Sequence, residues 1–361
     1  MPFKIGNKAV TGMYKGTQSI GKVFKGNTPV WSSFVAVDWS AGATKLPALE
    51  SLPFTGFGVS WSHSGTYLAY AHNNSPYAAV YKRDGDTFTK LPDLSALANT
   101  GYGVSFSPCG TYLAYAHLFG WRGTVYKRDG DTFTQLPALQ GLGGDTGFGV
   151  SFSPCGTYLA YAFNGSPFAA VYKRDGDTFT KLPALDGLSA LGWGVSFSPC
   201  GTYLAYAHRG GSRATVYKRD GDTFTKLPDL TPLGGMWVEG RGVSWSPDGT
   251  YLAYAHNDSS PYAVVYKRDG DTFTKLPALD ALPDIAFGVS FSPCGTYLAY
   301  AHRGPIRATI YKRDGDTFTK LPDLSPLSQT GYGVSFSPCG TYLAYAHLGG
   351  SRATVYKGGG A

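Results

Sequence analysis

The chain has 361 residues, 43% of them hydrophobic and only 15% charged, with 49 glycines, 26 tyrosines and a formal net charge of +7. That apolar fraction, without charge runs, excludes a disordered chain, and no apolar stretch reaches the roughly 18 residues of a membrane-spanning helix. Five lysines (Lys4, Lys8, Lys15, Lys22, Lys25) precede the first acidic residue, Asp38, which leaves 26 basic against 24 acidic groups and argues against a nucleic-acid groove.

The chain opens MPFKIGNKAV, which lacks the apolar core of a secretory signal, so export by the general secretory route is not expected. Residues 6–35 carry a ten-residue period: GNKAVTGMYK, GTQSIGKVFK and GNTPVWSSFV, led by Gly6, Gly16 and Gly26. An apolar residue stands fifth (Val10, Ile20, Val30) and an aromatic ninth (Tyr14, Phe24, Phe34). Such units predict short strands joined by glycine-led turns. Some 30 residues of this type are too few to hold a core alone. Residues 1–35 are therefore read as an attachment segment, with Tyr14, Phe24 and Trp31 packing on the rest of the chain, on copies of itself or on a larger assembly.

From residue 36 onward a longer period takes over. The segment GVSFSPCGTYLAYAH recurs seven times with small changes, starting at Gly58, Gly103, Gly149, Gly194, Gly242, Gly288 and Gly333, at spacings of 45 to 48 residues. The second copy predicts four strands: residues 104–107, 111–117, 124–127 and 132–136. Ser107-Pro108-Cys109-Gly110 turns between the first two, and Asp129-Gly130 signals the hairpin between the last two. No segment keeps a helical period, so the chain reads as all-β. A four-stranded sheet with two apolar faces must cover both, and stacking such sheets around an axis does so while leaving only short edges. The last copy ends after Val355-Tyr356-Lys357 without its outer hairpin, while a matching Thr44-Lys45-Leu46-Pro47 lies upstream of the first. The expected fold is a seven-bladed β-propeller over 36–361, closed by residues 43–49, with the small β-repeat segment before it.

Comparison among the seven copies separates constant from variable positions. The turn between strands one and two and the hairpin between strands three and four are nearly constant, and both belong to one face of the disc. The other face carries variable loops, the usual place for binding groups on a rigid scaffold. Tyr77, Trp121, Arg122, Phe168, Arg213, Trp237, Tyr262, Arg307 and Arg352 are the candidate ligand-binding residues there, because aromatics and arginine concentrate binding energy; unconstrained drift in these loops is the competing reading. The residue before each GVS (Phe57, Tyr102, Phe148, Trp193, Arg241, Phe287, Tyr332) is placed around the channel mouth. Trp193 and Arg241 are the candidates there, for stacking on sugar or holding an anion. The alternative is that these side chains wedge between blades.

Catalysis has little to work with. The chain has two glutamates, Glu50 and Glu239, and 12 of its 24 acidic residues belong to the six repeated Arg-Asp-Gly-Asp turns. No catalytic residue, cofactor or metal is expected. Six repeats place His at the end of strand two, and equivalent positions on neighbouring sheets stand roughly 10 Å apart, too far to share a metal. The five cysteines recur at one turn position, which Ser64 and Asp248 fill in the other two copies. Equivalent turns on separate blades do not meet disulfide geometry, so free thiols are expected.

The FSPCG or SPDG turn, followed by TYLAYAH and VYKRDGDTF, resembles the WD-repeat and WD-like β-propeller superfamily over residues 36–361. Tyr-Lys stands where that family has Trp-Asp, and its Gly-His dipeptide is missing, so the family's polar network does not carry over. Residues 6–35 resemble the short Gly/Tyr/Lys repeats of tailed-bacteriophage virion structural proteins, where similar propeller strands occur. This resemblance implies a non-enzymatic virion protein (tail, fibre or capsid surface) made in the host cytoplasm. Its partners would be other virion proteins through residues 1–35, a host surface protein or glycan, and further copies within an assembly, without nucleic acid or membrane insertion. An intracellular protein-interaction scaffold and a carbohydrate-binding lectin are the alternatives.

Overall fold

The computed structural model describes residues 37–359 apart from 50–51, 53, 96, 98, 120–122, 143–145, 189, 212, 232–238, 258–259, 261 and 280–281, and four strands before them. Those strands pair as two antiparallel hairpins, Lys4–Ile5 with Lys8–Ala9 and Val23–Lys25 with Thr28–Trp31. Tyr14 lies outside the described residues, and Phe24 and Trp31 are described only as strand backbone.

Seven four-stranded antiparallel sheets follow. In the first blade Gly56–Trp61, Tyr67–His72, Ala78–Asp84 and Thr87–Lys90 lie side by side in chain order. The last two are joined by a two-residue turn whose first member, Gly85, has φ +57°, the positive value this hairpin requires. Each YLAYAH strand is buried along its whole length, as a strand covered on both faces must be. Its two faces differ in bulk. Tyr67, Ala69 and Ala71 of the first blade meet Phe106, Leu113, Tyr115 and Tyr126 of the second. Small side chains on one sheet therefore receive large ones from the next, and seven such clusters make a continuous annular core.

The seventh blade consists of Gly331–Phe336, Tyr342–His347, Ala353–Gly358 and, from the other end of the chain, Ala43–Lys45. Lys45 pairs with Tyr356, Thr44 with Lys357 and Ala43 with Gly358, and the Leu46 N–H donates to the Val355 carbonyl at 2.9 Å. The ring closes through the expected strand, in the register that the outer strand of the first blade also uses, where Tyr81 pairs with Lys90 and Lys82 with Thr89.

A polar lock joins neighbouring blades on the constant face and explains the repeated Lys-Arg-Asp-Gly-Asp. Tyr112 of the second blade donates its hydroxyl to Asp177 of the third at 2.6 Å, and Lys127 reaches the same carboxylate at 2.6 Å. Arg174 lies over the Tyr112 ring, 4.8 Å from its centre, while its Nε–H donates to the Gly156 carbonyl at 2.8 Å. The tyrosine–aspartate bond recurs at Tyr67–Asp131, Tyr158–Asp222, Tyr203–Asp271, Tyr251–Asp316 and Tyr342–Asp86. At the seventh interface the hairpin is missing, and two residues upstream of the closing strand stand in for it. Asp38 accepts from the Tyr297 hydroxyl at 2.7 Å. Trp39, only 3% exposed, donates its indole N–H to the Gly340 carbonyl at 3.1 Å, the bond that Arg83 makes to Gly65 at 2.7 Å in the first blade.

Candidate functional site

The innermost strands meet around the axis, where the seven Gly-Val pairs from Gly58-Val59 to Gly333-Val334 line a cavity of about 200 Å³. Here the glycines serve close backbone approach. A Cβ on Gly103 would lie 2.5 Å from the Phe148 carbonyl oxygen, and the same relation recurs around the ring to Gly333 and Phe57, at 2.6 Å. The cavity wall presents glycine and valine, with no titratable or nucleophilic side chain.

The residues before those glycines close its mouth on the variable face. Phe57 leans on Tyr102 with ring centres 4.9 Å apart, Tyr102 on Phe148 at 5.1 Å, and Phe148 on Trp193 at 4.1 Å. Arg241 lies 3.8 Å over the Trp193 ring and 5.8 Å from Phe287; Phe287 meets Tyr332 at 4.9 Å, and Tyr332 returns to Phe57 at 5.0 Å. Both readings of this position hold together: the side chains surround the mouth, and each one leans on its neighbour from the next blade. Burial raises the Tyr102 and Tyr332 hydroxyls above the ordinary phenol range, so both stay neutral.

Arg241 breaks the sevenfold pattern and brings a local network with it. Its guanidinium meets the Glu239 carboxylate at 2.6 Å, with side-chain exposures of 21% and 15%, so this pair is largely shielded from water. Arg209, 59% exposed, approaches the other carboxylate oxygen at 3.5 Å. Asn257 fixes the backbone by accepting from the Glu239 N–H at 2.7 Å. One acidic and two basic side chains give the mouth a net positive edge beside a flat indole.

The candidate residues of the variable loops do not converge on this centre. Tyr77, Phe168, Arg213, Tyr262, Arg307 and Arg352 occupy one repeated position, just before the third strand. All six are half-buried, with φ between +57° and +68°. Each carbonyl accepts the backbone N–H of the residue that ends strand two, as Tyr77 does from His72 at 3.0 Å. Arg307 donates to the Leu327 carbonyl at 2.9 Å and Arg352 to the Leu52 carbonyl at 3.1 Å, both in connections between blades. These arginines brace the loops of the adjoining blade. Trp121, Arg122 and Trp237 lie outside the described residues. Phe54 and Phe119, 49% and 56% exposed, are the large apolar side chains that this face does present among the described residues.

The histidines that end strand two are buried. His117 bonds Thr124 at 3.0 Å through Nε2, and His208, His302 and His347 bond Thr215, Thr309 and Thr354 in the same way. In the first blade Ala79 takes the threonine's place. Burial lowers His72 and His347 to about 4, so both are neutral near pH 7. Among the described residues no cluster of three or more His, Cys, Asp or Glu is arranged to hold a metal.

Two functional features escaped the sequence reading. Glu239 stands two residues before Arg241, which puts both at the entry to one strand. Asp38 and Trp39 lie just before the closing strand, and seven repeated tyrosines against six Arg-Asp-Gly-Asp turns imply a seventh partner elsewhere in the chain.

No protein-family model and no curated protein matches the chain. Its fold is similar to solved structures. A crystal structure of a Lactobacillus plantarum protein is 19% identical, covers 79% of this chain and 88% of its own, and superposes with a TM-score of 0.67. Hydrazine synthase of Kuenenia stuttgartiensis is 17% identical, with 86% and 98% covered and a TM-score of 0.66. At these identities the likeness is one of fold.

Proposed function

We propose that this protein is a non-enzymatic binding propeller of a bacteriophage virion. Residues 1–35 join it to neighbouring virion proteins, and the variable face is offered to a host surface ligand or to another virion component. The observation that carries the binding reading is the contrast between the two faces. The constant face repeats one lock at six interfaces and substitutes Asp38 and Trp39 at the seventh, whereas the variable face changes from blade to blade and carries the Arg241–Glu239 pair in one blade. A scaffold fixed on one side and diversified on the other serves recognition. The virion assignment rests on the ten-residue repeats of residues 6–35.

Two measurements test the parts separately. Mass spectrometry of purified particles should find the polypeptide, and its absence removes the virion assignment. Binding of the isolated protein to host cells or to a glycan array should weaken at least about tenfold in Trp193→Ala and Arg241→Ala, the loss expected when a central aromatic or arginine anchor is truncated. Unchanged binding in both removes the channel mouth from the reading.

A further inference from the structure

The constant face carries chemistry that the binding role does not use. Each turn between strands one and two begins with a serine whose Oγ accepts the backbone N–H of the tyrosine five residues on, at 2.9 Å for Ser107 and Tyr112. The same Oγ also lies within hydrogen-bond reach of the side chain two places on. In the fifth blade that residue is Asp248, which accepts from Ser246 Oγ at 2.5 Å and from the Thr250 N–H at 3.0 Å. A carboxylate has no proton to give, so the serine is the donor there. In five blades a cysteine sulfur takes the same place, 3.2–3.3 Å from the serine oxygen. Either atom can donate in these five pairs, and a serine that donates to sulfur, as Ser246 does to Asp248, favours the thiolate.

The surroundings sort the five. Cys109, Cys155 and Cys200 are exposed, and Arg174, Arg219 and Arg268 of the adjoining blades stand over the tyrosines of the same turns at 4.8–5.0 Å. Burial pushes these three thiols up, but the hydrogen bonds from serine and threonine outweigh it and hold them below the ordinary thiol range. Cys294 is exposed too, yet the adjoining blade brings Asp38 and Trp39 to Tyr297 in place of an arginine. Cys339 shares the arginine, with Arg83 5.0 Å from the centre of the Tyr342 ring, and the serine and threonine hydrogen bonds hold its thiol low against burial as well, but it alone of the five is partly covered, packed against the core between the seventh and first blades.

We propose that the constant face is a graded set of nucleophilic modification sites for soft electrophiles, with Cys109, Cys155 and Cys200 the most reactive, Cys294 next and Cys339 shielded. With a hydroperoxide, the thiolate sulfur attacks one oxygen, the O–O bond breaks and hydroxide or alkoxide leaves. Sulfur is oxidised to the sulfenic acid as the peroxide is reduced.

The test alkylates the native full-length protein with iodoacetamide at pH 7 and follows each cysteine by peptide mass spectrometry. Cys109, Cys155 and Cys200 should each react about twofold or more faster than Cys294, a modest factor because thiolate gain is partly offset by lower nucleophilicity. Cys339 should be slowest. Equal rates at all four exposed positions, or a faster Cys294, overturn the proposal. Ser107→Ala, read as the Cys109/Cys155 ratio within one molecule, should slow Cys109, and an unchanged ratio also overturns it. Should that variant not fold, the wild-type ranking decides alone. A third arm replaces Cys109 with Asp, the residue the fifth blade already uses. The variant should fold with unchanged thermal stability, and a large loss refutes the acceptor reading of this position.

Discussion

Trp39→Ala is the sharpest test of how the ring is held shut. The indole is 3% exposed, meets the Phe336 ring edge-on at 5.5 Å and hydrogen-bonds Gly340 across the closing interface. A tryptophan buries about 200 Å² or more, worth about 5 kcal/mol at 25 cal/mol per Å². Measured truncations of buried aromatics cost about 3–5 kcal/mol. Against this, the closing strand is held by three residue pairs and two further backbone bonds, Leu46 N–H to the Val355 carbonyl and Gly359 N–H to the Gly42 carbonyl. Losing the indole should therefore raise the open population of the clasp by about a hundredfold or more, since 1.4 kcal/mol is a factor of ten. Trypsin cleavage after Lys45, timed by mass spectrometry under native conditions, reports that population when reclosing outruns cutting. Trp39→Phe keeps most of the area and loses the N–H bond, so its cost should be nearer 1 kcal/mol. If Trp39→Ala is cleaved within about threefold of the wild-type rate, the clasp is held by something other than this side chain.

Three further outcomes follow from the lock and the axis. Tyr67→Phe removes the hydroxyl that Asp131 accepts and should lower unfolding stability by about 1 kcal/mol, whereas Lys82→Ala, which loses an exposed ion pair, should leave the denaturation midpoint nearly unchanged; the reverse order would show that the charge carries the lock. Gly103→Ala drives a methyl group into a carbonyl and should cost about 2–3 kcal/mol. Gly85→Ala, with open space around it and only its positive φ to oppose it, should cost about 1 kcal/mol. Chemical denaturation ranks the pair, and a more damaging Gly85→Ala would refute the axial-packing account. The hydrogen bonds from Ser40 and Tyr297 lower Asp38 from 3.8 to about 2, so it contributes stability above pH 4 that is lost as pH falls through 2. Asp38→Asn should start from lower stability and lose less between pH 4 and 2, and thermal melts that run parallel to wild type across that range would refute the assignment.

The architecture was legible in the chain because each blade is specified locally and then repeated. The period near 45 residues, the Asp-Gly hairpin and the doubly apolar YLAYAH strand each demand a sheet covered on both faces, and the fragment Thr44-Lys45-Leu46 announces its partner by likeness to its copies. The constant aspartates, lysines and arginines were visible as a pattern, but their purpose was not. Tyr112 and Asp177 are 65 residues apart, and only the stacking of blades brings them to 2.6 Å.

The sequence by itself determined the strands, their number and the partner that closes the ring, since these follow from local patterning and repetition. Tertiary structure decided which side chains act together. It turned six aromatics and Arg241 into one closed circle of contacts, set Glu239 against Arg241, and put Asp38 and Trp39 to the work of a missing hairpin. The physical reason is that propensity and periodicity are properties of neighbouring residues, whereas a hydrogen bond or a ring contact across blades exists only once the annulus has formed.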